Sequence, residues 1–255
     1  MNKAACESGA AIPRALLGAL KTARRVVVAT GAGVSAGSGI PTFRDRQAGL
    51  WSKFRPEDLA TPEAFERDPA LVWNWYQWRR ERLAQVRPNA GHYALAELET
   101  KVPEFALVTQ NVDGLHEIAG SRNLIEFHGN IRRNRCSGEG TLSAWVPEET
   151  QSPPVCKACG AYLRPDVVWF GEALDAGVLK AAFAQALHCD VFLSVGTSSV
   201  VEPAASLARR AGDNGAYLAE INPQPTPLTA SVHTSLRGPS EHFLPALVAA
   251  LSDMP

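Results

Sequence analysis

The chain has 255 residues, enough for one sizeable core or for a main domain with a smaller insertion; 20% are charged and the formal net charge is -1. That balance excludes the basic footprint of non-specific nucleic-acid or membrane-surface binding, and no apolar run approaches the roughly 20 residues that span a bilayer. The opening MNKAACESGAAIPRALL lacks the apolar stretch of a signal peptide, so the expected compartment is the cytoplasm, where five cysteines point to metal or redox chemistry rather than a disulfide framework.

Short apolar, β-branched runs recur along the chain: RVVVAT (Arg25 to Thr30), FALVTQ (Phe105 to Gln110), NLIEF (Asn123 to Phe127), DVFLSVG (Asp190 to Gly196), AYLAEIN (Ala216 to Asn222) and SVHTSL (Ser231 to Leu236), before a tail helix HFLPALVAALS. Buried strands alternating with helical patterns predict an α/β fold with a mostly parallel, Rossmann-type sheet. Two intervals interrupt the alternation. Phe43 to about Thr100 holds two helical patterns, LVWNWYQWRRERLAQ and AGHYALAELE, and no convincing strand; Ile131 to Pro165 is rich in Pro, Gly, Ser and Cys and reads as irregular. The expected division is therefore a main domain of residues 1–42, 101–130 and 166–255, with 43–100 and 131–165 inserted as a small lobe.

GAGVSAGSGIPTFRD follows the first strand from Gly31. Read as G-x-G-x-x-A, its glycines let backbone amides approach a pyrophosphate at a helix start. The dehydrogenase version also needs a second strand ending in Asp or Glu about 20 residues on, and here Pro41 cuts the helix short with no strand after it. Read as G-x-S-x-G, the stretch is a nucleophile elbow, with Ser35, Asp113 and His128 in the chain order of a hydrolase triad. Against it, only one strand precedes the serine, and the triad histidine belongs near the chain end. A dinucleotide enzyme is the better reading of the two.

Polar groups fall at the carboxyl ends of the other strands: Gln110, Asn111 and Asp113, then His128, then Thr197 and Ser198, then Asn222. Singly, each has an ordinary explanation: Asp113 and Ser198 as helix caps, His128 as a satisfied core histidine. Together they form a convergent set where open α/β sheets bind ligands.

GAGVSAGSGIPTFRD, TQNVDGLH, a lone FHG, a CxxC module, VVWFGE, GTSS and EIN occur in the order and context of the sirtuins, and the chain resembles that family from roughly Ala23 to Leu247. The resemblance implies an NAD-dependent protein-lysine deacylase acting on acyl-lysine protein substrates, expected as a monomer with no nucleic-acid or membrane partner. It places Gly31, Ala32 and Gly33 at the NAD pyrophosphate, and Thr42, Phe43 and Arg44 in a loop over the nicotinamide ribose. Ser35, Ile40, Asn111 and Asp113 would line the nicotinamide pocket and Gln110 would meet the ribose. Gly196, Thr197, Ser198, Asn222 and Ser240 would bind the adenosine half. It implies that His128 is the general base of a reaction in which the acyl oxygen displaces nicotinamide. A ribose hydroxyl then attacks the imidate, giving free lysine and 2′-O-acyl-ADP-ribose; imidazole suits this step because its ordinary pKa is near neutrality.

VVWFGE, with Val168, Trp169, Phe170 and Gly171, is expected to be the strand against which substrate peptide pairs, or else an ordinary edge strand. Tyr76 and Arg79 lie three apart on one helix, so both face one way; such a helix is ordinarily amphipathic, with Arg79 and Arg80 in solvent. In the desuccinylase branch of bacterial and mitochondrial sirtuins a Tyr-x-x-Arg pair meets the acyl carboxylate, and WYQWRR fits that spacing, so succinyl-lysine, with malonyl- or glutaryl-lysine, is expected beside acetyl-lysine. The family's structural zinc has two CxxC pairs; here Cys156 and Cys159 form one, while the other reads Cys136-Ser-Gly-Glu139. Zn²⁺ would have Cys136, Cys156 and Cys159 as ligands and Glu139 as a candidate fourth. Two rival functions stand beside the deacylase: a serine hydrolase using Ser35, and an NAD-consuming ADP-ribosyl transferase or NAD sensor.

Overall fold

The computed structural model describes residues 5–7, 11–40, 55–145 and 152–253. In chain order the strands are β1 (Ala5–Glu7), β2 (Arg25–Thr30), β3 (Glu104–Thr109), β4 (Leu124–Glu126), β5 (Gly129–Cys136), β6 (Leu142–Ala144), β7 (Leu163–Val167), β8 (Val191–Val195), β9 (Tyr217–Ile221) and β10 (Thr234–Arg237). The helices are α1 (Arg14–Thr22), α2 (Pro56–Leu59), α3 (Pro62–Arg67), α4 (Pro69–Ala84), α5 (Ala90–Lys101), α6 (Leu115–Ile118), α7 (Ala176–Leu187), α8 (Ala204–Asp213) and α9 (Ser240–Ser252). None among the described residues is long and apolar enough to cross a membrane.

Seven strands form one parallel sheet in the order β1-β10-β9-β8-β2-β3-β4. The central strands are apolar throughout because both faces are covered: β8 is wholly buried, as is β2 beyond Arg25. Leu16, Leu17 and Leu20 of α1 cover one face with Leu95 and Leu98 of α5 and Leu244 and Leu247 of α9. On the other, Ala182 and Ala186 of α7 and Leu207, Ala208 and Ala211 of α8 pack on Val27, Val108 and Phe192. From β2 the chain steps to β3 and β4 on one side, and from β8 to β9 and β10 on the other. The order reverses between β2 and β8, where an open α/β sheet leaves its ligand crevice.

The interval 131–165, expected to be irregular, contributes to an antiparallel sheet of order β6-β5-β7. β5 was hidden because GNIRRNRC carries polar side chains where alternation would show apolar ones. Two of its three arginines are held by charge: Asp166 of β7 receives Arg133 at 2.9 Å and Arg135 at 2.7 Å, while Arg133 also reaches Glu126 of β4 at 2.6 Å. The small-lobe core gathers Leu59, Phe65, Trp75, Tyr76, Ile131 and Trp169. α5 falls inside the interval assigned to this lobe, yet Ala94, Leu95 and Leu98 pack into the main-sheet core. The three-residue β1, which places Cys6 beside Leu236, is too short to leave a periodic trace.

VVWFGE is not a strand beyond Val167. Val168 to Glu172 curls into a turn with Gly171 at φ 86°. The cause is Glu172, whose carboxylate accepts the Trp169 amide at 2.7 Å and pairs with Arg164. The Val168 amide donates to the His128 carbonyl and the Phe170 amide to that of Ala60, both at 2.9 Å. The amides of 168–170 are therefore all engaged within the protein, and the Trp169 carbonyl accepts the Glu172 amide at 3.0 Å.

Candidate active site

The Gly31 turn sits at the reversal of strand order. A short 3-10 helix, Ala32–Ser38, leaves β2 and is closed by Gly39 at φ 81°. Gly31 donates its amide to the Val195 carbonyl at 3.2 Å, and Gly33 donates to that of Gly196 at 2.8 Å. A Cβ on Gly33 would lie 2.7 Å from the Gly196 oxygen, so two strand ends meet where only glycine fits. The glycines thus join β2 to β8 before they serve a ligand, and the Gly33 amide is occupied by protein. Beside this seam lie exposed Ala32 and partly buried Ser198, small residues that a phosphate-bearing ligand can approach closely.

Ser35 is buried at the floor of the turn. Its hydroxyl donates to Asp113 Oδ2 at 2.8 Å and accepts from Asn111 Nδ2 at 3.1 Å. His92 Nε2 stands 3.3 Å away, and His92 Nδ1 accepts the Asn89 amide at 3.2 Å, which leaves the proton on Nε2 facing the serine. Ser35 therefore gives its proton to a carboxylate and receives two others. A nucleophile needs a free base beside it, and His128 bonds to the Gln110 carbonyl while the partners of Ser35 are Asp113, Asn111 and His92, so the hydrolase triad is not assembled. Asp113 Oδ1 accepts the Leu115 amide at 2.9 Å; the cap and the pocket wall are one carboxylate.

Sequence reasoning missed His92 and His116, whose rings lie against each other, tilted by 54° with centres 4.9 Å apart. His116 Nε2 lies 3.0 Å from the Thr30 hydroxyl, which donates to Thr109. Burial above all, with His92 adding to it, holds the His116 pKa down to about 3, and burial likewise lowers that of His92. Both rings are neutral wall material at physiological pH. The available signal was the spacing of Asn89 and His92, which form a capping box at the start of α5.

His128 follows β4 and faces the same crevice edge. Its Nδ1 donates to the Gln110 carbonyl at 3.0 Å, which leaves Nε2 as the basic nitrogen. Burial lowers its pKa against the opposing effect of that hydrogen bond, so the ring is a neutral proton acceptor near pH 7. The Gln110 side chain bridges to Thr197 Oγ1 at 3.2 Å, linking the ends of β3 and β8. Asn222, after β9, turns its amide to the Gln224 carbonyl at 2.9 Å. Ser240 is buried at the start of α9, and its neighbour Glu241 packs against Gly37 of the turn. Ile40 packs on the small-lobe core. Thr42, Phe43 and Arg44 lie outside the described residues.

α4, capped by Asp68 accepting the Leu71 amide at 2.9 Å, carries Tyr76 in the small-lobe core and Arg79 within the field of Asp113. Tyr76 is fully buried and accepts from Trp169 Nε1 at 3.0 Å. The Arg79 guanidinium lies 4.9 Å over Trp75 and 5.4 Å over Tyr76, with no carboxylate at ion-pair distance among the described residues. Burial lowers its pKa, opposed by Tyr76 and by the field of Asp113. Neither arginine of the pair is a solvated surface group. Arg80 is buried against the Ile131 carbonyl at 2.6 Å and Asn134 Oδ1 at 2.7 Å, its pKa lowered by burial to about 9, and this fixes the rotation of α4 that aims Arg79.

The sulfurs of Cys136, Cys156 and Cys159 lie within 4.8 Å of one another. The two turns are built alike: Gly140 donates to the Cys136 carbonyl at 3.0 Å and Gly160 to that of Cys156 at 2.8 Å, with φ of 71° and 75° at the glycines. The Glu139 amide donates to Cys136 Sγ at 3.4 Å, the leading cause of a thiol pKa near 7. The exposed Glu139 carboxylate is not among the groups that close on this cluster.

A profile of the Sir2 family matches residues 31–203. An NAD-dependent protein deacylase of Thermus thermophilus is 55% identical over 222 residues, 86% of this chain and 87% of that protein. A Sir2 homologue solved as an NAD complex superposes with a TM-score of 0.89 at 45% identity, over 96% of this chain and 95% of its own. A mutant Sir2 homologue with bound 2′-O-acetyl ADP ribose gives 0.86 at 46% identity, over 94% and 97%. With the glycine seam at the sheet's switch point, the interlocked Ser35, Asn111 and Asp113, and a profile spanning more than half the chain, this protein belongs to the Sir2 family.

Proposed function

We propose that the protein is an NAD-dependent protein-lysine deacylase, consuming NAD as co-substrate and producing nicotinamide, free lysine and 2′-O-acyl-ADP-ribose. The observation that carries this reading is His128: neutral, with its tautomer set by the Gln110 carbonyl, it stands at the crevice edge with Nε2 as proton acceptor. Nicotinamide would sit against Ser35, Asn111 and Asp113, the adenosine half against Gly196, Thr197, Ser198, Asn222 and Ser240, and the ribose beside Gln110. The acyl amide oxygen attacks the anomeric carbon as nicotinamide leaves. His128 then takes the proton of a ribose hydroxyl, whose oxygen attacks the imidate carbon; the carbon–nitrogen bond breaks to release the lysine amine, and one water adds to the cyclic cation that remains to give 2′-O-acyl-ADP-ribose.

The decisive measurement is nicotinamide release with acetyl-lysine peptide, succinyl-lysine peptide and no peptide. Release that depends on an acyl peptide is the expected result. Release without peptide would establish an NAD consumer or sensor instead, and peptide hydrolysis without NAD would establish a hydrolase.

The acyl pocket is read as accepting acids. Arg79, partly buried and stacked on two rings, offers a planar donor pair to a succinyl carboxylate, so the proposed range is acetyl- and succinyl-lysine, with malonyl and glutaryl chains of like charge.

The three thiols suit Zn²⁺, whose bonds of about 2.3 Å to sulfur need ligand atoms as close as these. Cys136, Cys156 and Cys159 would hold it, tying the β5–β6 turn to the turn before β7, and its role there is structural. The fourth position falls to Glu139 after a side-chain swing, or to water. Metal analysis of purified protein should find about one zinc per chain; a value near zero in folded, active protein would remove the ion from this account.

A further inference from the structure

Glu220 is a carboxylate on β9 that is 1% exposed and flanked in sequence by buried Ala219 and Ile221. It is not the ribose-binding acid of a dehydrogenase, because protein donors surround it. Thr226 Oγ1 donates to one oxygen; Thr229 Oγ1 at 2.7 Å, Ser235 Oγ at 3.4 Å and Arg237 Nη2 at 2.9 Å converge on the other. Arg237 in turn donates to the Gln224 carbonyl at 3.0 Å, the Asn222 carbonyl at 3.4 Å and Thr229 Oγ1 at 2.9 Å. The segment being held, Asn222 to Thr229, contains three prolines and exposes residues 223–225 and 227, with Leu228 its one buried apolar anchor. A loop with so little to bury takes its conformation from polar anchors.

We infer that Glu220 and Arg237 form a buried clamp that positions the Asn222 loop for the adenosine half of NAD, making both positioning residues for co-substrate affinity. The path is continuous. Glu220 orients Arg237, Arg237 holds the Gln224 carbonyl, and that carbonyl accepts the Asn222 side-chain amide and so fixes that side chain. Buried ion pairs contribute little net stability but leave a costly stranded charge when broken, so retention of this one is better explained by geometry than by stability. The inference rests on the assignment of Gly196, Thr197, Ser198 and Asn222 to the adenosine side.

Glu220→Gln keeps the shape and removes the charge; Thr229→Val cuts one strut while leaving the ion pair. Steady-state kinetics with saturating acyl peptide should show KM for NAD raised about tenfold in Glu220→Gln and about threefold in Thr229→Val, with kcat within about twofold of wild type. Affinity for ADP-ribose, by calorimetry, should fall in parallel. The inhibition constant of nicotinamide, which has no adenosine, should hold. Unchanged KM and ADP-ribose affinity in folded variants, or a loss confined to kcat, would overturn the clamp; should Glu220→Gln not fold, Thr229→Val alone decides. A wild-type protein that binds no ADP-ribose would instead sink the NAD reading, and the clamp with it.

Discussion

Replacing His128 by alanine is expected to lower deacylation by roughly a hundred- to ten-thousandfold, the usual contribution of a positioned general base, while NAD still binds. Two features sharpen the expectation. The Gln110 carbonyl accepts the Nδ1 proton, so Nε2 alone is available to the ribose hydroxyl. Burial also keeps the ring neutral at lower pH than an ordinary histidine. The sign follows directly: the basic form is the active one, so kcat/KM should stay level as pH falls to about 6.5 and decline only below it, through the lowered pKa. Assays of acyl-peptide turnover, with NAD binding by calorimetry, check both parts. Full activity in His128→Ala would strip this residue of its role; loss of NAD binding would make it part of the pocket wall.

Much of the fold was legible because parallel strands covered on both faces must be continuous apolar runs, and Val26 to Ala29 or Val191 to Val195 leave no other reading. Strand order was not, since it depends on contacts such as Gly33 on Gly196 that join residues far apart in sequence. β5 was lost because its buried positions are Asn130, Ile131, Asn134 and Cys136, with Arg133 and Arg135 paired to Asp166, a pattern that apolar alternation does not register. At the site, residue identity was more legible than proton direction. Ser35, Asp113 and a histidine could be named from the chain, but only coordinates show that the serine donates straight to the carboxylate and that His92 points its proton at it. That difference removes the hydrolase and leaves a rigid polar wall, and the curl of Val168 to Glu172 around the Glu172 carboxylate was invisible for the same reason.

Arg79→Met should separate the two acyl activities. The guanidinium lies over Trp75 and Tyr76 with no acidic partner among the described residues, and a carboxylate brought in by substrate is the expected partner of its hydrogen-bonding fork. Hydrogen bonds to a charged group are worth about 1.5–3 kcal/mol, which converts to a loss of roughly ten- to a hundredfold or more in kcat/KM for succinyl-lysine peptide. Acetyl-lysine carries no charge to meet, and methionine fills much of the same volume against the rings, so deacetylation should change by less than about threefold. Arg80→Met makes the contrast: that side chain is bonded to Ile131 and Asn134, so its removal should lower thermal stability and both activities together. Peptide assays on both variants with both acyl groups provide the check. Equal losses on the two peptides in Arg79→Met would mean that this arginine supports the pocket without selecting the acyl chain, and acyl preference would then have to be set elsewhere along the crevice.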